Sequence, residues 1–239
     1  MLGFARKKTQ APFVSAIIIA ADLGLDEIYD FQITMRTVSS YDNCRSIDEI
    51  VMVCPQRQIA QYYDILREHE IIRAVSIIGG GGNRQESVFR GVKAADSRAD
   101  YFLIHDEPRP LISIDDIERC LDGAIEYGAA TLGLALSDTV KICDKTGVIL
   151  STPNRAELVT LQAPRAFRGE IYRAAMNKAI SQGLIYESDC HMIRREGIKI
   201  FVCRGSTHNI KITCEADLAL AQAILQFREE GIDQWQTCV

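Results

Sequence analysis

The sequence predicts an α/β fold, a mostly parallel sheet with helices on both faces, and two observations carry the prediction. Short β-rich runs alternate with stretches of helical periodicity, and the runs are apolar at nearly every position. Strands apolar on both sides need cover on both sides, which strand–helix alternation supplies. The 239 residues, 47% hydrophobic, suffice for one sizeable core.

The expected strands are Val14–Ala21, Glu49–Cys54, Val75–Ile78, Tyr101–Ile104, Ala130–Leu136 and Lys199–Cys203. Between them, Gln58–His69 sets Ile59, Tyr62, Tyr63 and Leu66 on one helical side, and Glu86–Ala95 groups Val88, Val92 and Ala95. Asp115–Tyr127 follows Ser113, a predicted N-cap, and has acids in its first turn. Gly169–Gln182 and Glu215–Glu229 are the late helices. Thr139–Arg155 breaks the alternation: Thr139–Cys143 and Val148–Leu150 flank Asp144-Lys-Thr-Gly147, a hairpin signal. It reads as an arm, about 138–156, inserted into one domain spanning 13–229. Residues 1–12 read as a flexible basic tail with Arg6, Lys7 and Lys8, and 230–239 as a C-terminal tail.

Composition narrows the function classes. A net charge of −5 leaves no electrostatic footprint for bulk nucleic-acid binding. The apolar run Val14–Ala21 is too short to span a bilayer, so no membrane partner is expected. Eight cysteines show no CxxC pair and no zinc-ligand spacing, which fits reduced, mostly buried thiols in a cytoplasmic protein.

In parallel sheets the ligand crevice lies beyond the carboxyl ends of the strands. After the third strand stands Gly79-Gly-Gly-Gly-Asn-Arg-Gln-Glu-Ser87. Its glycines allow close backbone approach with unobstructed N–H groups, and Arg84 and Ser87 open a helix whose N-terminus favours anions. It is not a Walker motif, because no Gly-Lys-Ser/Thr follows. After the fourth strand stands His105-Asp-Glu-Pro-Arg-Pro110, where Asp106 suits a divalent cation and Arg109 a phosphate. Later come Arg155, Gln162-Ala-Pro-Arg165 and His208-Asn-Ile-Lys-Ile-Thr213, whose Lys211 offers a point charge. Taken singly, a glycine-rich turn, a surface ion pair and a surface lysine explain these as well. No Ser-His-Asp or Cys-His arrangement is readable from His69, His105, His191 and His208.

Taken together, these segments, with Ile47–Val53, Asp138-Thr-Val-Lys141 and Ala216–Ala221, resemble the 2-C-methyl-D-erythritol 4-phosphate cytidylyltransferases and the related ribitol-5-phosphate cytidylyltransferases from Val14 to Leu225. The resemblance implies a Rossmann-like sheet with an inserted β-hairpin dimerisation arm, and a homodimer in which that arm reaches the partner's site. It implies transfer of CMP from CTP to a sugar-alcohol phosphate, with Mg²⁺ and release of pyrophosphate. By position it implies that Ala20, Ala21, Gly81, Gly82, Arg84, Ser87 and Asp106 bind the nucleotide. Arg109, Thr139, Arg155, Glu187 and Lys211 line the substrate, Asp106 serves the metal, and Asp106, Lys211 and Arg109 form the catalytic set.

The sequence departs from that family in three places. The glycine-rich, basic loop expected after the first strand is shortened to Ala20-Ala-Asp-Leu-Gly24, with no basic residue between Ala20 and Gln32 and with Asp22, Asp26, Glu27 and Asp30 in its place. Glu187-Ser-Asp189 stands where the family has a Thr-Asp pair, and Glu107-Pro108 fills the Asp-x-x-Arg turn. Carboxylates beside a triphosphate repel it, so a catalytically impaired homologue with a binding or regulatory role stays open beside the enzyme.

Overall fold

The computed structural model describes residues 11–20, 27–69, 71 and 73–229. Along the chain run β1 (Val14–Ile19), α1 (Glu27–Asp42), β2 (Glu49–Cys54), α2 (Ile59–Glu68), β3 (Ala74–Gly79), α3 (Arg84–Ala94), β4 (Tyr101–Asp106), α4 (Ile114–Tyr127) and β5 (Ala129–Ala135). There follow β6 (Ile142–Cys143) and β7 (Ile149–Ser151), then β8 (Val159–Arg168), α5 (Gly169–Gln182), α6 (Asp189–Arg195), β9 (Phe201–Arg204) and α7 (Glu215–Glu229). Seven strands form one sheet in the order β3-β2-β1-β4-β8-β5-β9, and β6 and β7 form a separate two-stranded sheet.

Within the seven-stranded sheet the pairs are parallel except where β8 lies antiparallel between β4 and β5, and β6 and β7 pair antiparallel. Neither β8 nor α6 was expected from the sequence. Pro164 sits mid-strand in β8, and the β5–β8 register shifts between Thr131 and Leu132. A proline that cannot donate to a ladder argues against a central strand until the bulge is known. The fourth strand also runs two residues further than its apolar run, so Asp106 is its last residue.

Alternation along β1 distributes the core. Ala16 and Ile18 pack with Val38 and Tyr41 of α1, Leu66 of α2 and Ile117 of α4. Ile17 and Ile19 pack with Val88 and Val92 of α3, Tyr172 and Met176 of α5 and Ile193 of α6. Both faces are therefore dry, and each buried isoleucine contributes about 2 kcal/mol. A third cluster, Ile33, Leu111, Ile212 and Ala221, seats α7 against the turn after β4. There the Ile212 N–H donates to the Pro108 carbonyl at 2.8 Å, tying the segment around Lys211 to the Asp106 turn.

Local signals close the elements. The Asn83 side chain accepts from the Glu86 N–H and opens α3; Ser113 accepts from the Asp116 N–H and opens α4. Gly128 ends α4 at φ 85°, a left-handed conformation that glycine reaches without a Cβ penalty. In the hairpin the Asp144 carboxylate accepts from the Thr146 and Val148 N–H groups at 2.8 and 3.0 Å. The hairpin tips are exposed, with Ile149 58% and Leu150 64% accessible.

Candidate active site at the carboxyl ends of the strands

The carboxyl ends of β1 and β4 lie side by side, with Ile19 paired to Asp106. Asp106 alternates onto the α3/α5 face and is buried. Arg84, at the start of α3, donates from Nη2 to Asp106 Oδ1 at 2.8 Å and from Nε at 3.2 Å. Its Nη1 donates to Asp189 Oδ2 at 2.8 Å, and the Tyr172 hydroxyl donates to the other Asp189 oxygen at 2.6 Å. Lys211 Nζ stands 3.9 Å from Asp106 Oδ2, and Arg165 Nη1 stands 3.9 Å from Asp106 and 3.6 Å from Asp189. Three cations from α3, β8 and the segment after β9 thus meet two buried carboxylates.

Burial by itself raises the Asp106 carboxyl pKa, but Arg84, Arg165 and Lys211 outweigh it and hold the group well below the usual carboxylate range. Burial likewise disfavours the charged form of Arg84, and Asp189 and Asp106 more than reverse that. Desolvation drives the wholly buried His105 down to about 3, so its ring is neutral. It underpins the turn; its Nε2 faces the Arg109 carbonyl at 3.4 Å.

Arg109 lies at the rim of the same turn, and its Nη1 donates to the Asn209 carbonyl at 2.8 Å. Gln162 donates to the same carbonyl at 3.1 Å, while Asn209, fully buried, donates to the Ala163 carbonyl at 2.8 Å. These bonds lock β8 and the 206–212 segment under the turn and aim Arg109 and Lys211 at one rim.

The glycine run needs a correction. Its N–H groups are not unobstructed: Gly81 donates to Ser87 Oγ at 3.0 Å and Gly82 to the Glu86 carboxylate at 2.8 Å. The Gly82 N–H and Arg90 lower the Glu86 pKa. A ligand approaching this backbone must turn the exposed Glu86 side chain aside.

The Ala20 N–H donates to the Val53 carbonyl at 2.8 Å, beside Asp106. Ala21, with Asp22 and Asp26 of the acidic stretch, lies outside the described residues. Glu187 is exposed and lines a small notch with Arg84, Tyr186 and Asp189. Thr139 and Arg155 belong to the arm; Arg155 donates to the Ser137 carbonyl, and among the described residues no hydrogen bond or ion pair joins either to the Asp106 cluster. Sequence reasoning assigned no role to Asp189, Tyr172, Arg165, Gln162 or Asn209. Their signal was a set of polar residues inside otherwise apolar strand and helix patterns, which only long-range contacts explain.

Among the described residues, no helix is long and apolar enough to cross a membrane. Among them, too, no group of three or more His, Cys, Asp or Glu side chains could hold a metal ion.

The sequence model of a family described as 2-C-methyl-D-erythritol 4-phosphate cytidylyltransferase matches residues 25–227. A protein of that name from Clostridium botulinum strain 657 is 34% identical over 222 residues, covering 89% of this chain and 97% of its own. One from Caldanaerobacter subterraneus is 30% identical, covering 89% and 99%. The crystal structure of 4-diphosphocytidyl-2C-methyl-D-erythritol synthase from Anaerococcus prevotii superposes with a TM-score of 0.80 at 30% identity, over 90% of this chain and 97% of that one. The cluster around Asp106 lies at the carboxyl ends of a mostly parallel sheet, the general position of the ligand crevice in such folds. The chain belongs to the 2-C-methyl-D-erythritol 4-phosphate cytidylyltransferase family.

Proposed function

We propose that the chain transfers CMP from CTP to 2-C-methyl-D-erythritol 4-phosphate and releases pyrophosphate. The supporting observation is the convergence of Arg84, Arg165 and Lys211 on Asp106, with Arg109 at the same rim. A phosphate oxygen of the polyol phosphate attacks the α-phosphorus of CTP, a new P–O bond forms, and the bond to the β-phosphate breaks. Such a step needs little from the protein beyond positioning and charge neutralisation. In this reading Gly81, Gly82 and Ser87 hold the cytidine, while Lys211 and Arg109 hold the attacking phosphate. Asp106 orients Arg84 and Lys211 between the two substrates.

Magnesium belongs to the same proposal. Among the described residues no hydrogen bond reaches Asp106 Oδ2, whose ion-pair partner Lys211 stands 3.9 Å away, so the oxygen retains lone pairs for a cation. One carboxylate joined by phosphate oxygens and water matches the usual Mg²⁺ shell. Bound with the triphosphate, the ion supplies neutralisation of its charge. We also assign a cytoplasmic homodimer in which the exposed arm brings Thr139 and Arg155 to the partner's substrate site. The support is the apolar exposure of Ile149 and Leu150 and the unpaired cysteines.

The test is pyrophosphate release from CTP and Mg²⁺, offering methylerythritol phosphate and ribitol phosphate in parallel. We expect turnover with the first, and a loss of about a hundredfold or more, ~2.7 kcal/mol, in Lys211→Ala. Absence of turnover in a folded preparation would leave a binding or regulatory homologue. The β1–α1 connection through residues 20–26, which carries no cation, favours that second reading.

A further inference from the structure

Arg165 and Lys211 make no hydrogen bond from their side chains among the described residues, but Lys211 is 43% exposed to water whereas Arg165 is mostly buried. β8 carries it between Ile104 of β4 and Thr131 of β5, and its side chain is 12% exposed. Nε and Nη1 are buried without a partner. The two carboxylates it faces, at 3.6 and 3.9 Å, lie beyond hydrogen-bond reach, and the oxygens nearest to it, Asp106 Oδ1 and Asp189 Oδ2, already accept from Arg84. A guanidinium taken out of water without hydrogen-bond acceptors is unfavourable unless an anion completes it. Its planar fork of donors matches phosphate oxygens.

The charge count points the same way. Arg84, Arg165, Lys211 and Arg109 face Asp106 and Asp189, so the cluster carries surplus positive charge. Arg84 spends its donors on the carboxylates, and Arg109 spends one on Asn209. The sequence from Ala20 to Gln32 contains no lysine or arginine. Arg36, the next cation along, lines a different concavity with Ser39, Pro110 and Arg228.

We propose that Arg165 is a phosphate-binding residue of this site, closing its open donors on a phosphate oxygen of the nucleotide or of the polyol phosphate. The proposal rests on the cytidylyltransferase reading and adds to it a residue and a contact. Its test separates a phosphate contact from mere support of Asp106 and Asp189. Calorimetric Kd values are measured for wild type, Arg165→Gln and Arg165→Lys with two ligand pairs: cytidine against CTP, and methylerythritol against its 4-phosphate. Arg165→Gln should weaken one phosphate-bearing ligand by about tenfold or more and leave its phosphate-free counterpart within about twofold. Which pair responds identifies the source of the phosphate. Arg165→Lys, which keeps the charge but not the fork, should recover part of the loss, and it serves as the test variant if the glutamine protein does not fold. Equal weakening of both members of each pair, or no change in either, overturns the proposal. Failure of the wild type to turn over would count against the proposed activity, whereas the phosphate dependence of Kd would still judge Arg165.

Discussion

Arg84 and Asp189 are 105 residues apart in sequence and 2.8 Å apart in the fold, and the same guanidinium grips Asp106 at 2.8 Å. Asp189 at the start of α6 and Asp106 at the end of β4 therefore fix together where Arg84 points. Tyr172 holds Asp189 from α5, so one face of the sheet is cross-linked through a buried charge network.

Removing that anchor should be costly. Asp189→Ala leaves part of a desolvated guanidinium without its counter-charge, a loss of about 2–3 kcal/mol of stability. For a chain of this size that is roughly a 5–10 °C fall in Tm, readable by calorimetry. Asp189→Asn, which can still accept from Tyr172, should lose less stability yet reduce kcat/KM by about tenfold or more, since Arg84 is released. Wild-type values for both variants would show that Asp106 alone orients Arg84.

Glu107 occupies the other side of the β4 end. It is 2% exposed; the Thr34 hydroxyl donates to its carboxylate, and the Tyr62 hydroxyl does so at 3.2 Å. Its backbone N–H donates to the Ile19 carbonyl at 2.9 Å, and its carbonyl accepts from Thr37 at 2.7 Å. The glutamate that the sequence showed as a departure in the Asp-x-x-Arg turn thus pins α1, α2 and β1 together. Glu107→Ala should cost about 2 kcal/mol by stranding buried donors, and Glu107→Gln less, because an amide oxygen still accepts. Urea denaturation of the two variants ranks them; an alanine protein as stable as wild type contradicts the assignment.

Gly91 lets α3 lie close on the sheet. A Cβ there would stand 2.4 Å from Ile17 Cγ2 and 3.0 Å from Val53 Cγ2. Gly91→Ala should therefore destabilise by about 1–3 kcal/mol through overpacking, despite alanine's better helix propensity. In a double-mutant cycle with Ile17→Ala the two losses should sum to more than the double mutant shows. Strict additivity would mean that the helix shifts freely.

The arm tests the assembly. Ile149→Asp and Leu150→Asp place charge on residues already exposed in the single chain, so a monomer should keep its stability. If two copies pair through the hairpin, either change should shift the mass seen by light scattering from dimer toward monomer and depress turnover together. A wild-type protein that is monomeric at micromolar concentration would remove the arm from the proposed site.

The elements read most accurately were those with a local cause. The continuous apolar run of β2, the Ser113 cap of α4 and the Asp144–Gly147 turn each match the structure at or near their expected bounds. β8 was illegible because its strand pairing is closed by β4 and β5, and Pro164 contradicts the local pattern. Gly81 and Gly82 were read as open donors because nothing local shows that Ser87 and Glu86 fold back onto them.

By itself the sequence determined the α/β class, the two-sided burial of the strands and the list of residues at their carboxyl ends, since periodicity and composition are short-range properties. It also carried the absence of any cation between Ala20 and Gln32. Only the tertiary structure decided which of those residues meet. Arg84, Asp106, Arg165, Asp189 and Lys211 come from the end of β4, the body of β8, the segment after β9 and the starts of α3 and α6, and their sharing of one charge cluster depends on sheet order and on the antiparallel course of β8. Electrostatic coupling falls off with distance through the fold, not along the chain, which is why it could be seen only there.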